Sequence, residues 1–269
     1  MASISGSPCI SRSGAEGSHK FKMHARGFLL TALMLLLAVT AYPETETANE
    51  PSPNLAQIVE GMQRHDQLQA RMLQGYQGAR HYSVVYRGFT RTISASMDVE
   101  VSYEPSSGKT FRILSQNGSG MLREKVLKRA LDSERAASLN KSENALNSTN
   151  YRFRLSGTDQ VGSRKAYMLD VEPISSSQFL YKGRIWVDAA EFAVIKMEVQ
   201  PAKNPSFWIS KTLIHHANNV TNGFWLPEQN RSETKVRIGG TAVMTIDYRD
   251  YRITGPPDLS KVSSPLDSN

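Results

Sequence analysis

The sequence contains one cysteine, close to its N-terminus. Cys9 precedes an apolar run at residues 27–39, which follows several basic residues. Small residues at Val39 and Ala41 complete the pattern of a secretory signal peptide, so we predict a leader over 1–41 that is cleaved after Ala41. The alternative, a retained membrane anchor, needs roughly 20 apolar residues, more than this run has. After cleavage the chain has no thiol, which excludes disulfides and thiolate metal sites.

The sequence also lacks a strong charge imbalance. The formal net charge is +7. The predicted leader removes four positive charges and one negative charge, so the remaining chain carries +4. Lysine and arginine are scattered, without the dense patch typical of nucleic-acid binding. We therefore predict no nucleic-acid partner, and an anionic membrane surface and an ordinary solvated surface explain the mild charge equally well.

Motifs for catalysis and metal binding are absent as well. The sequence has no G-x-S-x-G elbow, P-loop, dinucleotide fingerprint, H-E-x-x-H or C-x-x-C. His215 and His216 are adjacent, but neighbouring residues of a strand point to opposite faces. Four carboxylates could form pairs. Asp188 and Glu191 lie in a predicted turn, and Asp247 and Asp250 lie beside basic residues. We predict no catalytic residue, no metal site, no cofactor and no enzymatic activity.

Two stretches have helical periodicity. Asn54 can cap a first helix whose apolar residues begin Leu55, Ile58 and Val59, and Gly75 ends it. The second helix covers 120–138 and has one apolar face and one basic face. Because it interrupts a series of strands, we expect it to cross a face of their sheet, which makes it a candidate lid.

Period-two alternation fills most of the remaining chain. Three strands precede the second helix, and strands follow almost continuously from Tyr151. The longest pattern, at 179–199, predicts a hairpin that turns at 188–191. About ten strands and two helices indicate an α+β fold with a strongly curved antiparallel sheet, since so many sequential strands curl. We place the folded domain at 54–254, after a flexible tether at 42–53 and before a flexible tail at 255–269.

The order of elements resembles a known family. The residues that carry the resemblance are Tyr181-Lys182-Gly183-Arg184-Ile185-Trp186-Val187 with Asp188, the return strand to Val199, Phe224-Trp225-Leu226-Pro227, and Asp247-Tyr248-Arg249-Asp250-Tyr251. They are structural motifs, and the layout from Asn54 to Ile253 is similar to the periplasmic lipoprotein-carrier superfamily, which includes LolA, LolB and the RseB/MucB sensor domain. The family's closing arginine and protruding hydrophobic loop are not assigned to residues here.

This resemblance implies an unclosed half-barrel with two helices covering its concave face and a hydrophobic cavity for acyl chains of lipoproteins or other lipids. It implies a periplasmic, monomeric, non-enzymatic carrier. The alternative function is an RseB/MucB-like envelope-stress regulator, which binds a partner protein and senses lipid. We take the inward-facing apolar residues as cavity candidates, although the same side chains could fill a solid core. They are Val84, Tyr86, Val99, Val101, Phe111, Ile113, Leu122, Val126, Phe153, Leu169, Ile185, Val187, Ile195, Met197, Trp225, Met244 and Ile246.

Overall fold

The computed structural model describes residues 52–177, 179–204, 209–237 and 239–254. The predicted leader, nearly all of the predicted tether and the predicted tail lie outside the described residues. Within the described residues, no helix is both long enough and apolar enough to cross a membrane.

A long N-terminal helix, four short helical pieces and ten strands make up the described chain. The helical elements are α1 (Leu55–Met72), α2 (Gly120–Leu122), a π-helical turn (Arg123–Leu127), α3 (Lys128–Leu139) and α4 (Lys141–Asn144). The strands are β1 (Tyr76–Arg87), β2 (Thr92–Glu104), β3 (Gly108–Gly118), β4 (Tyr151–Val161), β5 (Arg164–Pro173), β6 (Tyr181–Asp188), β7 (Val194–Pro201), β8 (Ile209–Thr221), β9 (Phe224–Val236) and β10 (Thr241–Ile253). We call residues 120–139 the second helical segment.

Helix α1 begins at the predicted cap. The Oδ1 atom of Asn54 accepts a hydrogen bond from the Gln57 backbone N–H (3.0 Å), and Gln57 Oε1 accepts one from the Asn54 N–H (2.9 Å). This reciprocal capping box satisfies two N–H groups that have no partner within the helix. One face of α1 is buried through Ile58, Val59 and Met62, as the apolar periodicity predicts.

All ten strands form one antiparallel sheet in the order β3-β2-β1-β10-β9-β8-β7-β6-β5-β4. The sheet is unclosed, because β3 and β4 are its edges. Strands β1–β3 form one meander and β4–β10 form another, and the pairing of β1 with β10 joins the two meanders. The sequence prediction of an α+β fold with about ten antiparallel strands is confirmed.

One row of directly opposite residues crosses the whole sheet and defines what we call the inner face, since such residues share a face. From β3 to β4 the row is Gln116, Met97, Tyr82, Ile246, Asn230, His216, Met197, Ile185, Leu169 and Leu155. Helix α1 packs against members of this row in β5 and β6. The second helical segment packs against members in β1, β2 and β10. Both helical layers therefore lie on the same face of the sheet.

The β6–β7 hairpin forms as predicted, with one change in its pairing. Asp188 Oδ1 accepts hydrogen bonds from the backbone N–H groups of Ala190 (3.0 Å) and Glu191 (2.8 Å), which closes the predicted turn. A register shift after Trp186 interrupts the pairing of β6 with β7. Ile195, which was predicted to face inward together with Ile185, packs instead in a cluster with Trp186.

Candidate functional site

The inner face carries two separate apolar layers. In the first, Ile58 and Met62 of α1 pack with Leu169, Ile185 and Val187, all fully or almost fully buried. In the second, leucines of the second helical segment pack against β1, β2 and β10. The buried members of this second layer are Tyr82, Val84, Ala95, Met97, Val99, Leu122, Leu127, Leu131 and Ile246.

A buried ionic network fastens the second helical segment to the sheet. Arg80 of β1 is 1% exposed and forms an ion pair with Glu134 of α3. Glu134 also accepts hydrogen bonds from the Tyr82 hydroxyl (2.9 Å) and from Lys109 Nζ on β3 (3.4 Å). The Arg80 guanidinium lies over the Tyr248 ring, 4.7 Å from its centroid. We call Arg80, Tyr82, Lys109 and Glu134 the Arg80 network.

The electrostatics of this network follow from burial. Burial opposes ionisation of Glu134, but the positive charges of Arg80 and Lys109 outweigh it and lower the pKa of the carboxyl group. Burial also raises the pKa of the Tyr82 hydroxyl, and the negative charge of Glu134 adds to that effect. Glu134 is therefore ionised and Tyr82 is a neutral donor at neutral pH, which suits the observed hydrogen bond.

A cleft of about 390 Å³ lies between α1 and the second helical segment. Its lining is contributed by α1, β1–β3, α3 and α4, and includes polar and aromatic groups at the boundary of the apolar layers. The lining residues are Asp66, Gln69, Ala70, Leu73, Tyr76, Tyr103, Lys109, Glu134, Ala137, Ser138, Lys141 and Asn144. This cleft leads from solvent to the Arg80 network.

Asp66 lies on the α1 side of the cleft. Asp66 is exposed at the surface. Neighbouring protein atoms nevertheless displace water from around its carboxyl group, which raises the pKa of that group to about 6. Across the cleft, Lys141 Nζ donates a hydrogen bond to the Tyr103 hydroxyl (2.7 Å). The mouth of the cleft thus combines the Asp66 carboxyl group, which is protonated in mild acid, with the side chains of Lys141 and Tyr103.

The inner face between the two apolar layers is polar. His216 of β8 makes hydrogen bonds with Asn218 Oδ1 (3.0 Å) through Nε2 and with Asn230 Nδ2 (3.2 Å) through Nδ1. Burial lowers the pKa of His216, which keeps the imidazole neutral at neutral pH. The ring of Tyr248 stands edge-on to it, with centroids 6.5 Å apart.

The predicted cavity residues do not form one group. The α1 layer buries or contacts Phe153, Leu169, Ile185, Val187 and Met197. The layer under the second helical segment holds Val84, Tyr86, Val99, Phe111, Leu122, Val126, Met244 and Ile246. Val101 packs near Phe224 and Leu226, Ile113 is 39% exposed, and Ile195 and Trp225 pack with Trp186. The candidates under the second helical segment are thus in contact with that segment.

Sequence reasoning missed the polar part of the site. Arg80 lies two residues before Tyr82 in β1, and residues two apart in a strand share a face, so this spacing was a signal that Arg80 faces the core. Nothing in the local sequence indicates that Glu134, more than 50 residues later, is its partner. The ionic pairing depends on how α3 packs on the sheet, over β3, which is a tertiary feature.

The outer face carries charged depressions. One, of about 680 Å³, lies over β4–β7 and includes Arg154, Asp170, Arg184 and Glu198. Another, of about 850 Å³, includes His81, whose Nδ1 lies 2.7 Å from Asp98 Oδ1. Among the described residues, no three His, Cys, Asp or Glu side chains are grouped so that they could hold a metal ion.

Comparisons with known proteins return solved structures of low sequence identity. No protein-family model matches the chain. No curated protein matches it either. Among solved structures, a DUF1329 family protein from Desulfovibrio piger is 13% identical, with 75% of this chain and 94% of that chain covered and a TM-score of 0.40.

Two further solved structures belong to the group that the sequence resembles. A protein domain assigned to outer membrane lipoprotein sorting, from Vibrio parahaemolyticus, is 9% identical over 76% of this chain and 95% of that chain, with a TM-score of 0.39. A LolA superfamily protein from Nitrosomonas europaea is 13% identical over 76% of this chain and 97% of that chain, with a TM-score of 0.34. Lipoprotein-sorting and LolA-superfamily structures are thus among those to which this chain is similar, as the resemblance in the sequence indicated.

Proposed function

We propose that the protein is a periplasmic, monomeric, non-enzymatic carrier that binds acyl chains of lipids or lipoproteins between the inner face and the second helical segment. The observation that carries this proposal is that an apolar surface of the second helical segment contacts an apolar surface of the sheet, and that the segment and the sheet are different layers of the fold. The second helical segment presents Leu122, Leu127 and Leu131 to an apolar part of the inner face. In this proposal the segment is a lid, and an acyl chain takes the place of the lid's leucines.

A concave inner face is part of the proposal. Both helical layers lie on one face of a ten-stranded sheet. Because sheets of this many strands curl, a concave inner face would enclose both layers.

The energetics of exchange are balanced. Lifting the lid exposes three buried leucines, each worth about 2 kcal/mol, and an equal area of the strands beneath them. An acyl chain regains about 0.8 kcal/mol for each methylene that it buries. A chain of roughly ten to fifteen methylenes therefore offsets the cost of opening. A short-chain ligand does not, so the proposal favours long acyl chains.

The cleft supplies the route. It reaches the lid at Glu134, Ala137 and Ser138, so its mouth borders the part of α3 that has to move. The Arg80 network holds this end of the lid by charged and polar contacts. Opening the lid breaks these contacts and exposes no further apolar surface there. The polar mouth suits the head group of the ligand, while the apolar layer suits its chain.

Photochemical labelling with a long-chain fatty acid that carries a diazirine near its methyl end tests this function. We expect label on apolar residues of the covered inner face, above all Val84, Val99 and Leu122. The cluster of Trp186, Ile195 and Ala166 is a built-in control, because it is apolar, buried and outside the proposed cavity.

The labelling has clear outcomes. Label concentrated under the lid, competed by unlabelled long-chain fatty acid and not by a short-chain one, supports the carrier. Label on the Trp186 cluster at the same level, or no competed label at all, contradicts it. Mass spectrometry of protein purified from a membrane-bearing host gives an independent measure, since a carrier is expected to retain lipid or acylated protein.

A further inference from the structure

The loop between β1 and β2 displays an aromatic side chain to solvent. Phe89 is 89% exposed, the largest value among the large hydrophobic residues of the described chain. Its ring lies on Gly239, where a Cβ atom would be 1.9 Å from Cε2 of Phe89. The Tyr86 hydroxyl donates to the Gly239 carbonyl (2.8 Å), and the Gly88 N–H donates to the Arg91 carbonyl (3.0 Å). The loop therefore holds Phe89 in one place at the edge of the molecule.

A row of cations runs beside this loop. Arg87 of β1 is opposite Thr241 of β10, Thr241 is opposite Lys235 of β9, and Lys235 is opposite Lys211 of β8. Arg87, Lys235, Lys211 and the loop residue Arg91 are all exposed. Like charges directly opposite each other on neighbouring strands destabilise a sheet. The placement of Lys211 opposite Lys235 is thus unfavourable for the fold itself.

The cations at this edge also lack acidic partners. The described residues at 87–92, 209–212, 235–237 and 239–242 include no Asp or Glu. Within the described chain, Arg87, Arg91, Lys211 and Lys235 form no ion pair. The four side chains are free to meet negative charge from another molecule.

The same sheet pairs its charges elsewhere. Elsewhere in the sheet, directly opposite residues on β4–β7 alternate in charge: Arg154, Asp170, Arg184 and Glu198. Arg184 Nε and Asp170 Oδ1 are 3.0 Å apart within that row. The row of Arg87, Thr241, Lys235 and Lys211 has three cations and no acidic residue, so it departs from the alternation of charge on β4–β7. The sequence alone does not show this row, because Arg87 is more than 100 residues from Lys211 and Lys235 and only the strand order brings the three together.

We propose that this edge, formed by Phe89, Arg87, Arg91, Lys211 and Lys235, docks on the surface of an anionic lipid bilayer. Unpaired cations attract anionic head groups, and an aromatic ring held among them inserts at the level of the head groups. The surface is separate from the cleft and from the apolar layers of the inner face. Docking would bring the protein to a bilayer whether or not its inner face holds a ligand.

Co-sedimentation with lipid vesicles tests the proposal. One set of vesicles contains equal parts of phosphatidylglycerol and phosphatidylcholine, and the other contains phosphatidylcholine alone. We expect the protein to bind the anionic vesicles and not the neutral ones. Loss of each interfacial cation should weaken the partition coefficient about fivefold, so Arg87→Gln with Arg91→Gln should weaken it roughly thirtyfold. Phe89→Ser should weaken it on the order of tenfold.

A matched control separates local docking from net charge. Lys165→Gln with Arg252→Gln removes two exposed cations from the opposite ends of the strands, on β5 and β10. We expect this variant to bind like the unaltered protein apart from a small general effect. All variants carry the same N-terminal segment, and circular dichroism melting confirms that each one folds. Equal losses in the two double variants, equal binding to both vesicle types, or no vesicle binding would overturn the proposal. The fatty-acid label should be unchanged in Phe89→Ser, so failure of docking is distinguishable from failure of the carrier function.

Discussion

Removal of Arg80 should show how strongly the Arg80 network holds the lid. Arg80→Met keeps the length of the side chain and removes its charge. The change leaves the largely buried Glu134 of α3 with only Lys109 as a cationic partner, and that contact is longer (3.4 Å). Breaking a buried ion pair from one side costs about 3–5 kcal/mol. Because Lys109 and the Tyr82 hydroxyl remain, we expect the lower end, about 3 kcal/mol of the free energy of unfolding.

The double variant separates pairing from burial. Arg80→Met with Glu134→Gln removes both charges, so no uncompensated charge stays buried. Nε and Nη2 of Arg80 have no hydrogen-bond partner among the described residues, so the native arginine already carries a desolvation cost. We therefore expect the double variant to be more stable than Arg80→Met alone, with a coupling energy of about 2 kcal/mol.

Urea denaturation at neutral pH, followed by circular dichroism, measures all four members of this cycle. The exposed pair of Arg112 with Glu100 supplies the control, because its side chains are 70% and 41% exposed. Arg112→Met should cost no more than about 1 kcal/mol. If Arg80→Met costs as little as Arg112→Met, or if the effects of Arg80→Met and Glu134→Gln simply add, the network does not fasten the lid.

Two further changes test the α1 side of the site. Asp66→Asn should stabilise the protein above about pH 6, and the gain should vanish towards pH 4. The reason is that the folded-state pKa of Asp66 is raised from 3.8 to about 6, so the wild type loses stability as the pH rises through that range. Melting temperatures of both proteins across this pH range measure the effect, and a constant difference would contradict it. Gly61→Ala should destabilise the protein by about 1–3 kcal/mol, because a Cβ atom would lie 2.7 Å from Cγ of Phe192. In a Phe192→Ala background the same change should instead stabilise helix α1 by about 0.5–1 kcal/mol in urea denaturation, and the same sign in both backgrounds would refute this contact.

Local sequence patterns predict the elements well. The cap at Asn54, the apolar stripe of α1 and the turn at Asp188 each depend on residues within a few positions of one another, and all three form as predicted. Alternation also locates the strands, because period two is a property of the strand itself. These features need no knowledge of the rest of the fold.

Features that depend on strand register or on the packing of helices on the sheet could not be predicted in the same way. The register shift beside Trp186 moves Ile195 out of the layer that contains Ile185. No turn residue in the sequence indicates this shift. The ion pair of Arg80 with Glu134 requires α3 to pack at one particular place on the sheet, over β3. The opposition of Lys211 and Lys235 likewise depends on strand register.

The central claim, that the second helical segment is a lid, is tested most directly by locking it shut. Lys109→Cys with Ser138→Cys, in a Cys9→Ser background, places two thiols where the Lys109 N–H donates to Ser138 Oγ (2.9 Å), so a disulfide would join β3 to α3. The single-cysteine variants control for loss of the Lys109 side chain, and mass spectrometry confirms the disulfide. We predict that the oxidised double variant fails to take up a fluorescent long-chain fatty acid and that reduction restores uptake. Equal uptake in the oxidised and reduced states would contradict the account.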